Sequence, residues 1–130
     1  MTLNLVKLCL FSLFIATTYS CNSDDNSTII QPNPFEKFKG NWQGTYTGDA
    51  NGTWTATFNE NGIAEGTLVS GSSTFKLTAE VNENGIINAE YKSGTTVVGT
   101  MTGTLTDKTG LGTWVNTIQN YTGTWQGTKN

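Results

Sequence analysis

Tyr46, Tyr91 and Tyr121, with Trp54 and Phe75, are the residues best suited to hold a ligand, since aromatic rings offer broad apolar faces and phenols add orienting hydroxyls. They suit binding rather than catalysis. The chain has no histidine, no acidic or cysteine cluster at metal-ligand spacing and no phosphate-cradling glycine loop, so we expect no enzyme, no metal and no cofactor. Glu65, Glu80 and Glu90 fall among solvent-facing positions, where a carboxylate lacks the pocket that would tune it as an acid or base. The tyrosines also have a plainer reading. At the end of a β-structure they bury their rings and wet their hydroxyls, and Trp42, Trp114 and Trp125 read as core.

The two cysteines say more about location than about chemistry. Cys9 lies in an apolar run, Leu8 to Ala16, preceded by the cation Lys7 and followed by small or polar residues leading to Cys21. That is the layout of a secretory signal peptide, and the run is far short of the ~20 residues that span a bilayer. With Ser20 just before the cysteine, the segment resembles a bacterial lipoprotein signal peptide, from which it departs at Thr18 and Tyr19. The resemblance implies cleavage before Cys21 and lipidation of Cys21. Cysteine arithmetic agrees, because loss of Cys9 leaves a single cysteine and no internal disulfide. Asn22-Ser23-Asp24-Asp25 resembles the acidic tethers that send lipoproteins to the outer leaflet in one phylum of Gram-negative bacteria. That implies an outer-membrane address and exposure at the cell surface; a solvated linker is the other reading of Asp24 and Asp25.

These signals divide the chain into a signal peptide over 1–20, a lipidated cysteine and flexible tether over 21–33, and a folded domain over 34–130. The tether is polar apart from Ile29 and Ile30, too little apolar surface to bury. A net charge of −3 without a basic stripe argues against nucleic acid. At Asn33-Pro34-Phe35-Glu36-Lys37-Phe38 the residues suit one helical turn, with Phe35 and Phe38 on one face as a plug.

From Gly40 onward, apolar or glycine residues alternate with threonine and other polar residues in short runs broken by Gly and Asn. Period-two patterning of this kind marks half-buried strands, and it predicts an all-β antiparallel up-and-down meander of about eight strands. Asn59-Glu60-Asn61-Gly62-Ile63 recurs 23 residues later as Asn82-Glu83-Asn84-Gly85-Ile86, so two similar hairpins turn on a left-handed glycine. Parity places Trp54, Ala56 and Phe58 inward with Ala64, Gly66 and Leu68. Further on we expect Gly103 opposite Trp114, and Trp114 opposite Trp125 across Gln119-Asn120. The first and last strands share Gly-x-Trp-Gln-Gly-Thr, at Gly40 to Thr45 and Gly123 to Thr128. Pairing them closes a small barrel and hides both edges; an open sheet or a β-sandwich is the alternative.

Phe35-Glu-Lys-Phe38-Lys-Gly40-Asn-Trp42 resembles the opening motif of lipocalins and calycins, a turn followed by Gly-x-Trp on the first strand. The arginine that lipocalins place over this tryptophan is missing, because the chain has no arginine. The resemblance implies a non-catalytic barrel that binds a small apolar or glycan ligand at the tyrosine rim. The competing expectation is a solid-cored envelope lipoprotein that is structural or meets a protein partner. A membrane-spanning barrel is set aside, since the alternating apolar face is rich in Gly and Trp instead of aliphatic residues. Either way we expect a monomer held to the membrane by its N-terminal lipid.

Overall fold

A computed structural model describes residues 30–130, in which Pro32–Asn130 forms a compact unit. The signal peptide, Cys21, Asp24 and Asp25 lie outside the described residues.

Eight antiparallel strands follow one another around a closed barrel: β1 (Gly40–Gly48), β2 (Gly52–Phe58), β3 (Ile63–Ser70), β4 (Ser73–Val81), β5 (Ile86–Ser93), β6 (Thr96–Leu105), β7 (Thr109–Asn116) and β8 (Tyr121–Lys129). Each strand pairs with its sequence neighbour, and β1 closes on β8 with Gly44 opposite Gly127 and Tyr46 opposite Trp125. The open sheet and the sandwich are thereby excluded. Because side chains alternate sides along a strand, the expected apolar parity sends Trp42, Trp54, Ala56, Phe58, Leu68, Leu77, Val81, Ile87, Met101 and Leu105 into one core. No polar or charged residue is buried with them among the described residues.

One end of the barrel is plugged. A single 3-10 turn, Glu36–Phe38, precedes β1 and buries Phe38 to 1% exposure. Asn33 shapes the approach, its side-chain oxygen accepting from the Phe35 N–H and its carbonyl from the Glu36 N–H. Trp42 then fastens the plug by donating its indole N–H to the Phe38 carbonyl at 2.8 Å. Lys129 stands opposite Trp42 in the β1–β8 pair, and its ammonium donates to the Lys37 carbonyl at 3.0 Å.

The repeated Asn-Glu-Asn-Gly segments form matching turns at the same end. Asn59 and Asn82 each accept two backbone N–H groups on the side-chain oxygen, from Asn61 and Ile63 and from Asn84 and Ile86. Gly62 and Gly85 adopt φ of 78° and 86°, a conformation that favours glycine. Each turn also ties itself to the following hairpin, since Val81 donates to the Gly62 carbonyl and Leu105 to that of Gly85.

The last two hairpins correct the expected register by two residues. Met101 opposes Trp114, Gly103 opposes Gly112, and Leu105 opposes Gly110; on the other side of β7, Trp114 opposes Gly123 and Asn116 opposes Tyr121. Side-chain closure of the turns decides this. Thr106 closes a tight turn by accepting the Lys108 and Thr109 N–H groups on its hydroxyl, and Asn116 likewise takes those of Ile118 and Gln119. A shift of two leaves every side chain on its face, so alternation alone is blind to it.

Candidate functional site

The interior is filled by one recurring device. A large ring on one strand lies across a glycine on the neighbouring strand and hands its polar tip to a backbone carbonyl one strand further. Tyr46 on β1 covers Gly52 on β2 and donates to Val69 O on β3 at 3.1 Å. Tyr91 on β5 covers Gly99 on β6 and donates to Val115 O on β7, also at 3.1 Å. Trp114 on β7 reaches over Gly123 to Thr47 O, and Trp125 on β8 over Gly112 to Thr102 O, both at 3.0 Å. Glycine is required beneath each ring, since a Cβ at Gly52 would stand 2.5 Å from the Tyr46 oxygen. Every such tip avoids the penalty of an unpaired buried polar group.

Trp54 breaks the pattern. Its indole lies over Gly44 and Gly127, with a Cβ at Gly44 standing only 2.8 Å from Cε2, yet its buried N–H has no partner. A buried donor left unpaired costs about 1–3 kcal/mol. Trp54 is held instead by shape, edge-on to Trp125 with ring centroids 5.6 Å apart.

Of the five residues read as a ligand rim, the structure brings four into the core or onto it. Tyr46, Trp54 and Tyr91 are buried, and Phe75 is half-buried against Tyr91 at 5.9 Å between centroids. Tyr46 packs edge-on to Trp114 at 5.4 Å. Tyr121 stays apart, 37% exposed at the start of β8, although its parity is inward. Burial, with Tyr46 nearby as a lesser cause, pushes the Tyr91 phenol up to about 12, so it remains a neutral donor at ordinary pH.

One small void of about 20 Å³ lies within the core, lined by Ala56, Ala79, Ala89, Met101 and the indoles of Trp54 and Trp125 among others. Such a space matches roughly one water, and an apolar lining leaves it dry. Of the three phenol hydroxyls read as orienting a guest, those of Tyr46 and Tyr91 are already bonded to the barrel's own backbone.

Outside the barrel, a larger open groove of about 770 Å³ crosses β7, β8, β1 and β2. Its walls are Gln43, Thr45, Thr53, Thr55, Thr109, Leu111, Gln126 and Thr128, without a single charge. The two Trp-Gln-Gly-Thr copies build its centre. Around the Gly44·Gly127 pair, Gln43 stands opposite Thr128 and Thr45 opposite Gln126, so the copies are related by a local two-fold. The sequence reading found this repeat and used it only for closure. That alternation turns both glutamines outward was legible from the same residues.

The carboxylates Glu65, Glu80 and Glu90 are exposed on the far wall, β3 to β5. No group of three or more His, Cys, Asp or Glu side chains gathers among the described residues. No family model, curated protein or solved structure matches the chain.

Proposed function

We propose that this chain is a lipoprotein of the bacterial cell envelope, anchored at the outer membrane through a lipid on Cys21, whose barrel is a solid, non-catalytic body that acts through its outer surface. One observation carries the choice of surface over interior: large rings pack across the core around a void of about 20 Å³, and the hydroxyls of Tyr46 and Tyr91 are spent on Val69 O and Val115 O. A small apolar guest would have to displace packed rings, and among the described residues the one unpaired buried donor a glycan would meet there is the Trp54 N–H. The outer wall, carrying threonine, glutamine and charged side chains, suits water and not lipid, so the membrane is reached by the acylated N-terminus. The chain enters the barrel at the plugged end, which leaves the walls and the opposite end free to meet a partner.

Two measurements on the full chain in its bacterial host test this reading. Metabolic labelling with an alkynyl fatty acid is expected to mark the wild type and to lose the mark in Cys21→Ser. Native mass spectrometry of the detergent-released protein is expected to show no non-covalent cargo. An unlabelled wild type would remove the anchor, and a stoichiometric small molecule released on denaturation would return the ligand to the interior.

A further inference from the structure

We infer that the outer groove across β7, β8, β1 and β2 is a binding site for a neutral saccharide chain, an inference that rests on the proposal that the barrel works from its outside.

The groove is a product of what lies beneath it. Gly110, Gly127 and Gly44 stand side by side on β7, β8 and β1. With no Cβ on their inner face, the three backbones rest directly on ring atoms: Trp54 Cε2 lies 2.8 Å from where a Gly44 Cβ would be, and Trp125 Cζ3 3.2 Å from that of Gly110. On the outer side, Gln43, Thr45, Gln126, Thr128 and Leu111 stand around this stretch as the walls of the groove. A depression of about 770 Å³ falls in the range of small-molecule sites, and being open at the surface it suits an extended chain.

Its chemistry narrows the occupant. The carboxylates and ammonium groups on the strand walls fall on β3, β4 and β5, apart from Lys129 at the end of β8, whose ammonium is engaged at the plug. The groove itself offers only carboxamides, hydroxyls, threonine methyls and the side chain of Leu111, which is 66% exposed. Gln43 and Gln126 are exposed, and each carboxamide carries one acceptor and two donors. A charged polymer would gain no counter-charge here and would lose hydration. A neutral polyol matches both hydroxyl polarity and the absence of charge, with its apolar ring face set against Leu111 and the threonine methyls. The local two-fold presents the same Gln and Thr pair twice, in opposite order, along the groove.

The test is an NMR titration of the full lipidated chain in detergent micelles with neutral hexasaccharides, α- and β-glucan and xylan fragments, and with an acidic control, oligogalacturonate. Saturable shifts of the Gln43 and Gln126 side-chain amides by a neutral oligomer are expected, with about tenfold weaker binding in the Gln43→Ala/Gln126→Ala double variant. Glu80→Ala, on the far wall, is expected to bind as the wild type does. Both variants change exposed side chains, and unchanged melting temperatures confirm that they fold. Equal response to the acidic control would overturn the inference, as would a crosslink from a photoreactive residue at Leu111 to an envelope protein in place of saccharide. Absence of any shift at millimolar saccharide would also overturn it while leaving the solid-barrel proposal standing. Shifts confined to Met101 and Ala89 in the core would overturn both.

Discussion

Two walls of the barrel, on either side of β6 and β2–β3, solve the same packing problem differently. Strands β3 to β5 line the core mainly with small and medium aliphatic residues, Ala64, Leu68, Leu77, Ala79, Val81, Ile87 and Ala89, beside the two rings of Phe75 and Tyr91. Strands β7, β8, β1 and β2 line it with glycine and tryptophan, and all four tryptophans of the chain are there. An aliphatic wall fills space evenly, each side chain occupying its own pleat. The glycine-tryptophan wall fills it by covering, one ring spanning two strands. The outer faces differ in step, since charges decorate the aliphatic wall and neutral groups the other. Trp54, Trp114, Trp125 and Tyr46 in the second wall depend on glycines from other strands, so changes there are expected to propagate further than equal changes on the first.

Truncating Trp125 is the most damaging way to test that contrast. Trp125→Ala removes the cover from Gly103 and Gly112 and orphans the Thr102 carbonyl, and a loss of about 3–5 kcal/mol is expected in chemical denaturation. Leu77→Ala on the aliphatic wall is expected to cost less, toward the lower part of the ~2–5 kcal/mol range for such changes. Equal losses would erase the distinction between the walls.

Adding volume probes the opposite limit. Gly127→Ala pushes a methyl into the Trp54 ring, with Gln43 O 2.7 Å from the new carbon, and about 1–3 kcal/mol of destabilisation is expected. Ala89→Val on the aliphatic wall borders the small void and is expected to fall below that in the same melts.

A tyrosine shared between strands of both halves gives a pH-dependent version. Tyr91→Phe is expected to cost about 1 kcal/mol near neutral pH through the lost bond to Val115 O. The folded phenol titrates at about 12 against 10 unfolded, so its stabilisation is whole below about pH 10 and is lost as pH climbs through about 12. The Phe variant should therefore show a shallower alkaline decline in melting temperature than the wild type. Parallel declines would mean that the ring is not held from water.

The finest comparison lies within the tryptophan wall. Trp54→Phe removes an indole N–H that has no partner, whereas Trp125→Phe removes one bonded at 3.0 Å. The first is expected to be the milder by about 1 kcal/mol, read as a difference of denaturation midpoints at equal slope.

Much of this architecture could be read from residue order. Alternation assigned the inward faces, the Asn-Glu-Asn-Gly repeats marked two turns, and the paired Gly-x-Trp-Gln-Gly-Thr segments foretold closure. The register of the last hairpins escaped because a two-residue slip conserves parity; hydroxyl and carboxamide closure by Thr106 and Asn116 decides it. The outward slip at the β5–β6 pair, where a bulge between Tyr91 and Lys92 admits Val98 to the core, was also missed, since alternation has no term for an extra residue. The tyrosine rim was placed on the correct face but not to the correct depth. Whether a phenol ends in water or on a carbonyl depends on the coiling of strands two removed, and no local pattern reports that. Tyr121 shows the converse, since its inward parity falls on the first residue of β8, at the rim.

The seam between β1 and β8 also governs how the barrel comes into being. Every other pairing joins strands that follow one another in the chain, within reach of quick hairpin formation. Closure alone must bring together segments from the two ends of the domain, so a chain whose barrel has yet to close leaves both edges bare. During that interval the identical Trp-Gln-Gly-Thr edges invite a second chain as readily as each other. Their wealth of glycine and threonine, with few aliphatic residues, keeps such edges weakly adhesive until they meet.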